Sequence, residues 1–149
     1  MMIDSDLLVI ILESLGSTDE RFKTNIDRFI KISLEISHNS EDFKEEIKNY
    51  DDFLCHVYIK DLDFNIWISH SQGKLSYNTN YYENHTGVKR VIHFILKKDT
   101  LKRILRQKIH VSEAYMRGLI EIDGLLTDAM MIKNLISYFF KLFKHLINT

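Results

Sequence analysis

The side chains able to do chemistry are few, and their spacing is not that of a reaction centre. Seven histidines, His38, His56, His70, His85, His93, His110 and His145, show no H-x-x-x-H or other ligand spacing. A metal centre needs clustered His, Cys, Asp or Glu, so no metal is expected. These histidines read as surface or strand residues. His110, three residues before Glu113, is the one pair placed for acid–base work. Cys55 lies on an alternating apolar run, where a free thiol packs as a small hydrophobe. Ser71-Gln72-Gly73-Lys74 holds one glycine and reads as a hairpin turn rather than a phosphate loop. Asn84-His85-Thr86 is a formal glycosylation sequon, but nothing routes the chain to a secretory pathway. The expectation is a protein that is not an enzyme and carries no cofactor.

Two stretches suggest binding instead. Between positions 89 and 108, Lys89, Arg90, Lys97, Lys98, Lys102, Arg103, Arg106 and Lys108 face a single acid, Asp99. This is either a dock for anionic headgroups or carrier phosphates, or a solvated helix face. A transient anionic membrane contact through Lys98, Lys102 and Arg106 follows from the first reading. The last helical stretch carries Met130, Met131, Ile132, Leu135, Ile136, Tyr138, Phe139, Phe140, Leu142, Phe143, Leu146 and Ile147. That is apolar on more than one face, beyond the need of a one-sided surface helix. It reads as a lid over an apolar cavity, as a homodimer face or membrane contact with Lys141 and Lys144 at the headgroups, or as extra core.

The elements that must position these residues follow from period and punctuation. At 149 residues, 45% hydrophobic and 28% charged, the chain has the size and composition of one globular domain. Residues 1–60 hold 13 acids and 7 bases, and residues 61–149 hold 8 acids and 13 bases. Opposite net charges favour packing of the halves, and the overall −1 argues against a nucleic-acid partner. The single cysteine suits a reducing, cytoplasmic setting. The acidic start is not a secretory signal, and Ile147-Asn148-Thr149 is not a peroxisomal address. No apolar run is long enough for a membrane span. Asp4 or Ser5 can cap a first helix ending at Gly16. Ser17-Thr18-Asp19-Glu20 offers a second cap, before a helix with Phe22, Ile26, Phe29, Ile30, Ser33, Leu34 and Ser37 near one face. Ser40 begins a short acidic helix. From Phe53 the period becomes two: Phe53, Cys55, Val57 and Ile59, then Phe64, Ile66 and Ile68, read as a hairpin, and Leu75 starts a third strand. Residues 78–87 read as loop and Val88–Leu96 as a fourth strand, with Ile92, Phe94 and Leu96 facing the helices. Asp99 is placed to cap the next helix.

Positions 113–131 are unusually well punctuated. Ala114, Tyr115 and Met116 end a helix that Gly118 stops. Leu119-Ile120-Glu121-Ile122-Asp123 alternates as a strand, Gly124 ends it, and helical spacing resumes to about Leu146. The run Ala114-Tyr115-Met116-x-Gly118-x-Ile120-x-Ile122-x-Gly124, followed by Ala129-Met130, resembles the C-terminal signature of the sterol carrier protein type 2 family. Leu96 to Leu105 and the hairpin from Phe53 to Tyr77 extend the likeness over about two-thirds of the chain. It departs at Gln107 and Val111, where the family often has Gly and Pro, and at Glu121 and Asp123, where it is often basic.

The resemblance implies an α+β fold: a mainly antiparallel five-stranded sheet with helices packed on one face and an apolar tunnel between them. Residues 1–50 would form an N-terminal helical segment packing on a lipid-binding domain of residues 51–149. The implied function is a non-catalytic carrier for a sterol, fatty acid or acyl-coenzyme A. Inward faces would then place Ile66, Ile92, Phe94, Leu105, Tyr115, Met116, Ile120, Met130, Ile136 and Phe139 on the tunnel wall. The competing expectation is an interaction module of the same fold with a filled cavity, acting through dimerisation or a protein partner.

Overall fold

The computed structural model describes residues 18–79 and 90–147. The expected helix ending at Gly16, the Asn84-His85-Thr86 sequon and most of the expected loop lie outside the described residues. Helix α1 spans Asp19–His38: the Thr18 hydroxyl accepts the Arg21 amide at 3.2 Å, and Asp19 and Glu20 face the positive end of the helix dipole. Asn39 closes it by donating its side-chain amide to the Glu35 carbonyl at 2.9 Å. Helix α2, Glu41–Ile47, is capped by Ser40, whose hydroxyl accepts from the Phe43 amide at 3.2 Å.

Strands β1 (Phe53–Ile59), β2 (Phe64–Ser71) and β3 (Lys74–Thr79) form an antiparallel meander, with Phe53 opposite His70 and His70 opposite Leu75. Its second turn is two-residue. Gln72 and Gly73 both hold positive φ, 50° and 85°, the handedness that matches the twist of flanking strands. His70 anchors this turn from inside: Gly73 donates its amide to Nε2, and Nδ1 lies 3.0 Å from the Asp51 carbonyl.

Strand β4 (Val91–Leu96) enters beside β1 and runs parallel to it, Leu54 opposite Val91 and Ile59 opposite Leu96. Helix α3 (Lys98–Leu105) follows, then α4 (Val111–Met116), β5 (Ile120–Asp123) antiparallel to β4, and α5 (Leu126–Ile147). The sheet order is β3-β2-β1-β4-β5. The sheet is therefore mixed rather than purely antiparallel, with β1–β4 the parallel ladder. Asp99 does not cap α3, which starts one residue earlier. Its first amide, on Lys98, donates instead to Asp61 Oδ1 at 2.9 Å, from the β1–β2 turn, and Asp99 pairs with Lys102 at 3.8 Å.

The buried apolar residues of the sheet lie mainly on the side of the helices. One cluster joins α2, β1, β4, β5 and the first half of α5 through Phe43, Phe53, Ile92 and Ile132. The other joins α1 to the far ends of β1 and β2 and to Phe140 and Phe143 of α5.

Two glycines bracket β5 for different reasons. Gly118 has φ 75° and open space where a Cβ would stand. Gly124, φ 131°, packs on β4 so closely that a Cβ would meet the Val91 carbonyl oxygen at 2.9 Å and the Ile92 Cα at 3.3 Å. Gly118→Ala should cost about 1 kcal/mol, from backbone conformation alone. Gly124→Ala adds a clash with backbone that cannot swing away and should cost about 2–3 kcal/mol. Urea unfolding of both variants measures the difference; equal losses would show that β4 does not constrain position 124.

Candidate functional site

Between the helices and the inner sheet face lies a cavity of about 220 Å³. Alternation along the strands builds its floor from Phe53, Cys55 and Val57 of β1, Ile66 and Ile68 of β2, Leu75 of β3, Phe94 and Leu96 of β4, and Ile120 of β5. Its roof comes from one stripe of each helix: Ile26, Phe29, Ile30, Ser33, Leu34 and Ser37 of α1, Phe43 of α2, Leu101, Ile104 and Leu105 of α3, Val111 of α4, and Ile132, Lys133, Leu135, Ile136, Phe139 and Phe140 of α5.

Of the ten residues expected on a tunnel wall, Ile66, Phe94, Leu105, Ile120, Ile136 and Phe139 line this cavity. The other four do not. Ile92 is fully buried but packs elsewhere in the core. Tyr115, Met116 and Met130 are exposed, by 42%, 84% and 50%. α4 is a single six-residue helix whose far side meets water. On α5, Met130 sits about 200° round the axis from the inward-facing Ile132.

The polar side chains on the wall are Ser33, Ser37 and Lys133. Ser33 and Ser37 recur at a spacing of four on the apolar face of α1, a visible signal of hydroxyls turned inward. Ser37 Oγ donates to the Ser33 carbonyl at 2.8 Å. Ser33 Oγ is buried with no hydrogen-bond partner among the described residues. Lys133 is the one charged side chain on the wall. Cys55 sits in the floor, and burial pushes its thiol up from the ordinary 9.0 to about 12: desolvation penalises the thiolate, so this sulfur is no nucleophile at neutral pH.

His110 precedes α4 and makes no side-chain cap, while Glu113 pairs with Arg117 at 3.1 Å. On the other sheet face, His56 stacks on Trp67 with centroids 3.9 Å apart; its Nε2 lies 2.6 Å from Asn65 Oδ1 and its Nδ1 2.8 Å from His93 Nδ1. Among the described residues no group of three or more His, Cys, Asp or Glu could hold a metal ion. In the basic stretch, Lys98 pairs with Asp19 at 3.0 Å and lies over the Phe22 ring, and Lys102 reaches Asp99.

A family model described as the SCP-2 sterol transfer family matches residues 33–137, from the middle of α1 across the whole sheet into α5. No curated protein matches the sequence. Among solved structures, the chain is similar to a UbiJ-SCP2 ubiquinone synthesis protein, at 13% identity and a TM-score of 0.60 over 79% of this chain and 98% of that one. It is similar to sterol carrier protein-2 like-3 from Aedes aegypti, at 8% identity and a TM-score of 0.55 over 76% of this chain and 97% of that one. A double mutant of the sec-alkyl sulfatase PisA1 aligns at 18% identity and a TM-score of 0.50 over 72% of this chain. The chain spans only 17% of that sulfatase, and 13% of a Pisa1 chain from Pseudomonas sp.. At these identities the structures share a fold.

Two outcomes test the wall. Ser33→Ala removes a desolvated hydroxyl that gains no bond, so stability should be unchanged or rise by about 1 kcal/mol; a loss of that size would reveal a partner. The raised Cys55 thiol contributes stability that is complete below pH 9.0 and is lost as pH climbs toward about 12, at up to about 1.4 kcal/mol per pH unit. Denaturant unfolding across that window should show a steeper decline for the native protein than for Cys55→Ala. Matching slopes would mean that the thiol is not desolvated.

Proposed function

The chain belongs to the SCP-2 sterol transfer family, and on that premise we propose that it is a non-catalytic carrier holding an apolar lipid between sheet and helices. Family membership points to lipid binding or transfer. The observation that carries the reading is the cavity itself: about 220 Å³ walled almost entirely by hydrocarbon side chains. An apolar cavity of ~150 Å³ already admits a benzene, so this space has room for an apolar guest. A guest gains roughly 0.8 kcal/mol per methylene buried, so a short alkyl tail supplies several kcal/mol with no polar contact. No reacting group is required on such a wall.

In this reading residues 51–149 carry the lipid domain, and the helical segment of residues 1–50 roofs it through α1 and α2. The carrier works in the cytoplasm; no helix among the described residues is long and apolar enough to cross a membrane. Transient contact with an anionic membrane surface would use Lys98, Lys102 and Arg106, with headgroup phosphates taking the places of Asp19 beside Lys98 and Asp99 beside Lys102. A second reading is favoured by the exposed Tyr115, Met116, Leu125, Leu126 and Met130. Contiguous exposed apolar side chains mark association surfaces, so the same fold would act by dimerisation or by docking a protein partner.

Mass spectrometry of organic extracts from the purified protein separates the two, because only a carrier brings lipid with it. Ile136→Trp, which fills the cavity from the roof, should lower affinity for a fluorescent fatty-acid probe by about tenfold while the protein still unfolds cooperatively. A protein that yields no lipid and takes up no apolar probe is not a carrier.

A further inference from the structure

The sheet face turned away from the helices carries chemistry that the cavity does not use. His56 of β1 and His93 of β4 are partners across the parallel ladder. The chain separates them by 37 positions, so no local spacing joins them; the ladder does. Each is half-buried. Their Nδ1 atoms lie 2.8 Å apart. The other ring nitrogen of His56, Nε2, lies 2.6 Å from Asn65 Oδ1. An amide oxygen only accepts, so Nε2 carries the proton and Nδ1 of His56 presents a lone pair. The His56 ring is held flat on Trp67, at 3.9 Å and 11°, and the His93 ring stands at 87° to it.

That arrangement suits a metal ion. A histidine ligand donates its second ring N–H to a fixed oxygen, which sets the tautomer and aims the lone pair; Asn65 does this for His56. Nitrogen ligands sit ~2.0 Å from a first-row divalent ion, so two at a right angle lie ~2.8 Å apart and two at the tetrahedral angle ~3.3 Å. The observed 2.8 Å fits the right angle. Right-angled sites of nitrogen and oxygen belong to copper(II) and nickel(II), and copper(II) binds the tighter of the two. Charge agrees with this. On β5, Asp123 stands opposite His93 and Glu121 opposite Ile95, both exposed and both on this face. They lend it the negative potential that draws a cation. Among the described residues no third His, Cys, Asp or Glu completes a cluster, so water fills the remaining positions.

We infer that His56 and His93 form a two-histidine site for copper(II), bound through both Nδ1 atoms and bridging β1 to β4. Without the ion, the Nδ1–H of His93 donates to the His56 lone pair. With it, the neutral His93 ring carries its proton on Nε2 instead, and both lone pairs meet the metal. No proton is lost from the neutral rings. The site lies across the sheet from the cavity and does not depend on the carrier reading. A pair that serves only as a hydrogen bond between strands would bind copper(II) no better than any exposed histidine.

Calorimetric titration of the full chain with copper(II), nickel(II), zinc and magnesium chlorides tests this. One copper(II) should bind per chain, more tightly than nickel(II) or zinc, and magnesium should not bind. Binding should weaken as pH falls, because protons compete for the same lone pairs. The electron paramagnetic resonance spectrum of the native protein with one equivalent of copper(II) should show coupling to two imidazole nitrogens, a readout that needs no variant. His56→Gln or His93→Gln should abolish the one-to-one phase. Asn65→Ala, which releases the His56 ring, should weaken it about tenfold. His38→Gln, at the exposed end of α1, should change nothing. A one-to-one copper phase that survives His56→Gln or His93→Gln, or a spectrum without two coupled nitrogens, overturns the site. Zinc binding tighter than copper(II) overturns the right-angled arrangement. Copper(II) that does not bind at all leaves His56 and His93 as a hydrogen-bonded pair and overturns the inference.

Discussion

The parallel ladder between β1 and β4 is the constraint on which the rest depends. It joins two antiparallel parts, the β1–β2–β3 meander and the β4–β5 pair, into one sheet. Register in that ladder decides which side chains face the helices, because a slip of one residue would turn every one to the opposite face. With Cys55 opposite Ile92 and Val57 opposite Phe94, the inner face is continuous apolar floor from β3 to β5. Hydrogen bonds at both ends extend the pairing: Leu54 donates its amide to the Arg90 carbonyl and Lys60 to the Leu96 carbonyl, at 2.8 and 2.9 Å. Asp61, just past β1, then supplies the acceptor that α3 lacks at its start, so the same ladder sets where that part of the roof begins.

Much of this was legible in the residues, and what was not has physical causes. Period-two runs named β1, β2 and the helix-facing side of β4, where Ile92, Phe94 and Leu96 are all buried. Glycines marked β5, since Gly118 and Gly124 both hold positive φ. The parallel β1–β4 pairing could not be read by period, because both faces of a central strand show similar patterns and sequence does not state a neighbour. The start of α3 at Lys98 was hidden because the acceptor of its first amide, Asp61, is distant in the chain. Local cap rules see only nearby side chains.

The site was harder to read than the fold. Strand positions such as Ile66 and Phe94 were correctly turned toward the helices by alternation alone. Helix positions depend on phase, and in α4 and at the start of α5 a stripe of apolar residues exceeds what the core can cover, which leaves Tyr115, Met116 and Met130 outside. Spacing alone put Ser33 and Ser37 near the apolar face of α1, whereas Lys133 looks like a solvent residue when read by itself. Only the packing of α5 over the sheet shows that it borders an apolar space.

The topology also bears on how long the folded chain lives. The β1–β2–β3 meander closes short loops, whereas β4 must return from beyond β3 to lie beside β1, a later and entropically costlier contact. The cavity is complete only after that return, because its floor draws on β4 and β5 as well as the meander. An apolar guest would therefore have little to hold in the partly assembled chain and the whole apolar wall in the finished one. A guest that bound only this finished cavity would slow escape from the native state and leave the rate of arrival nearly unchanged.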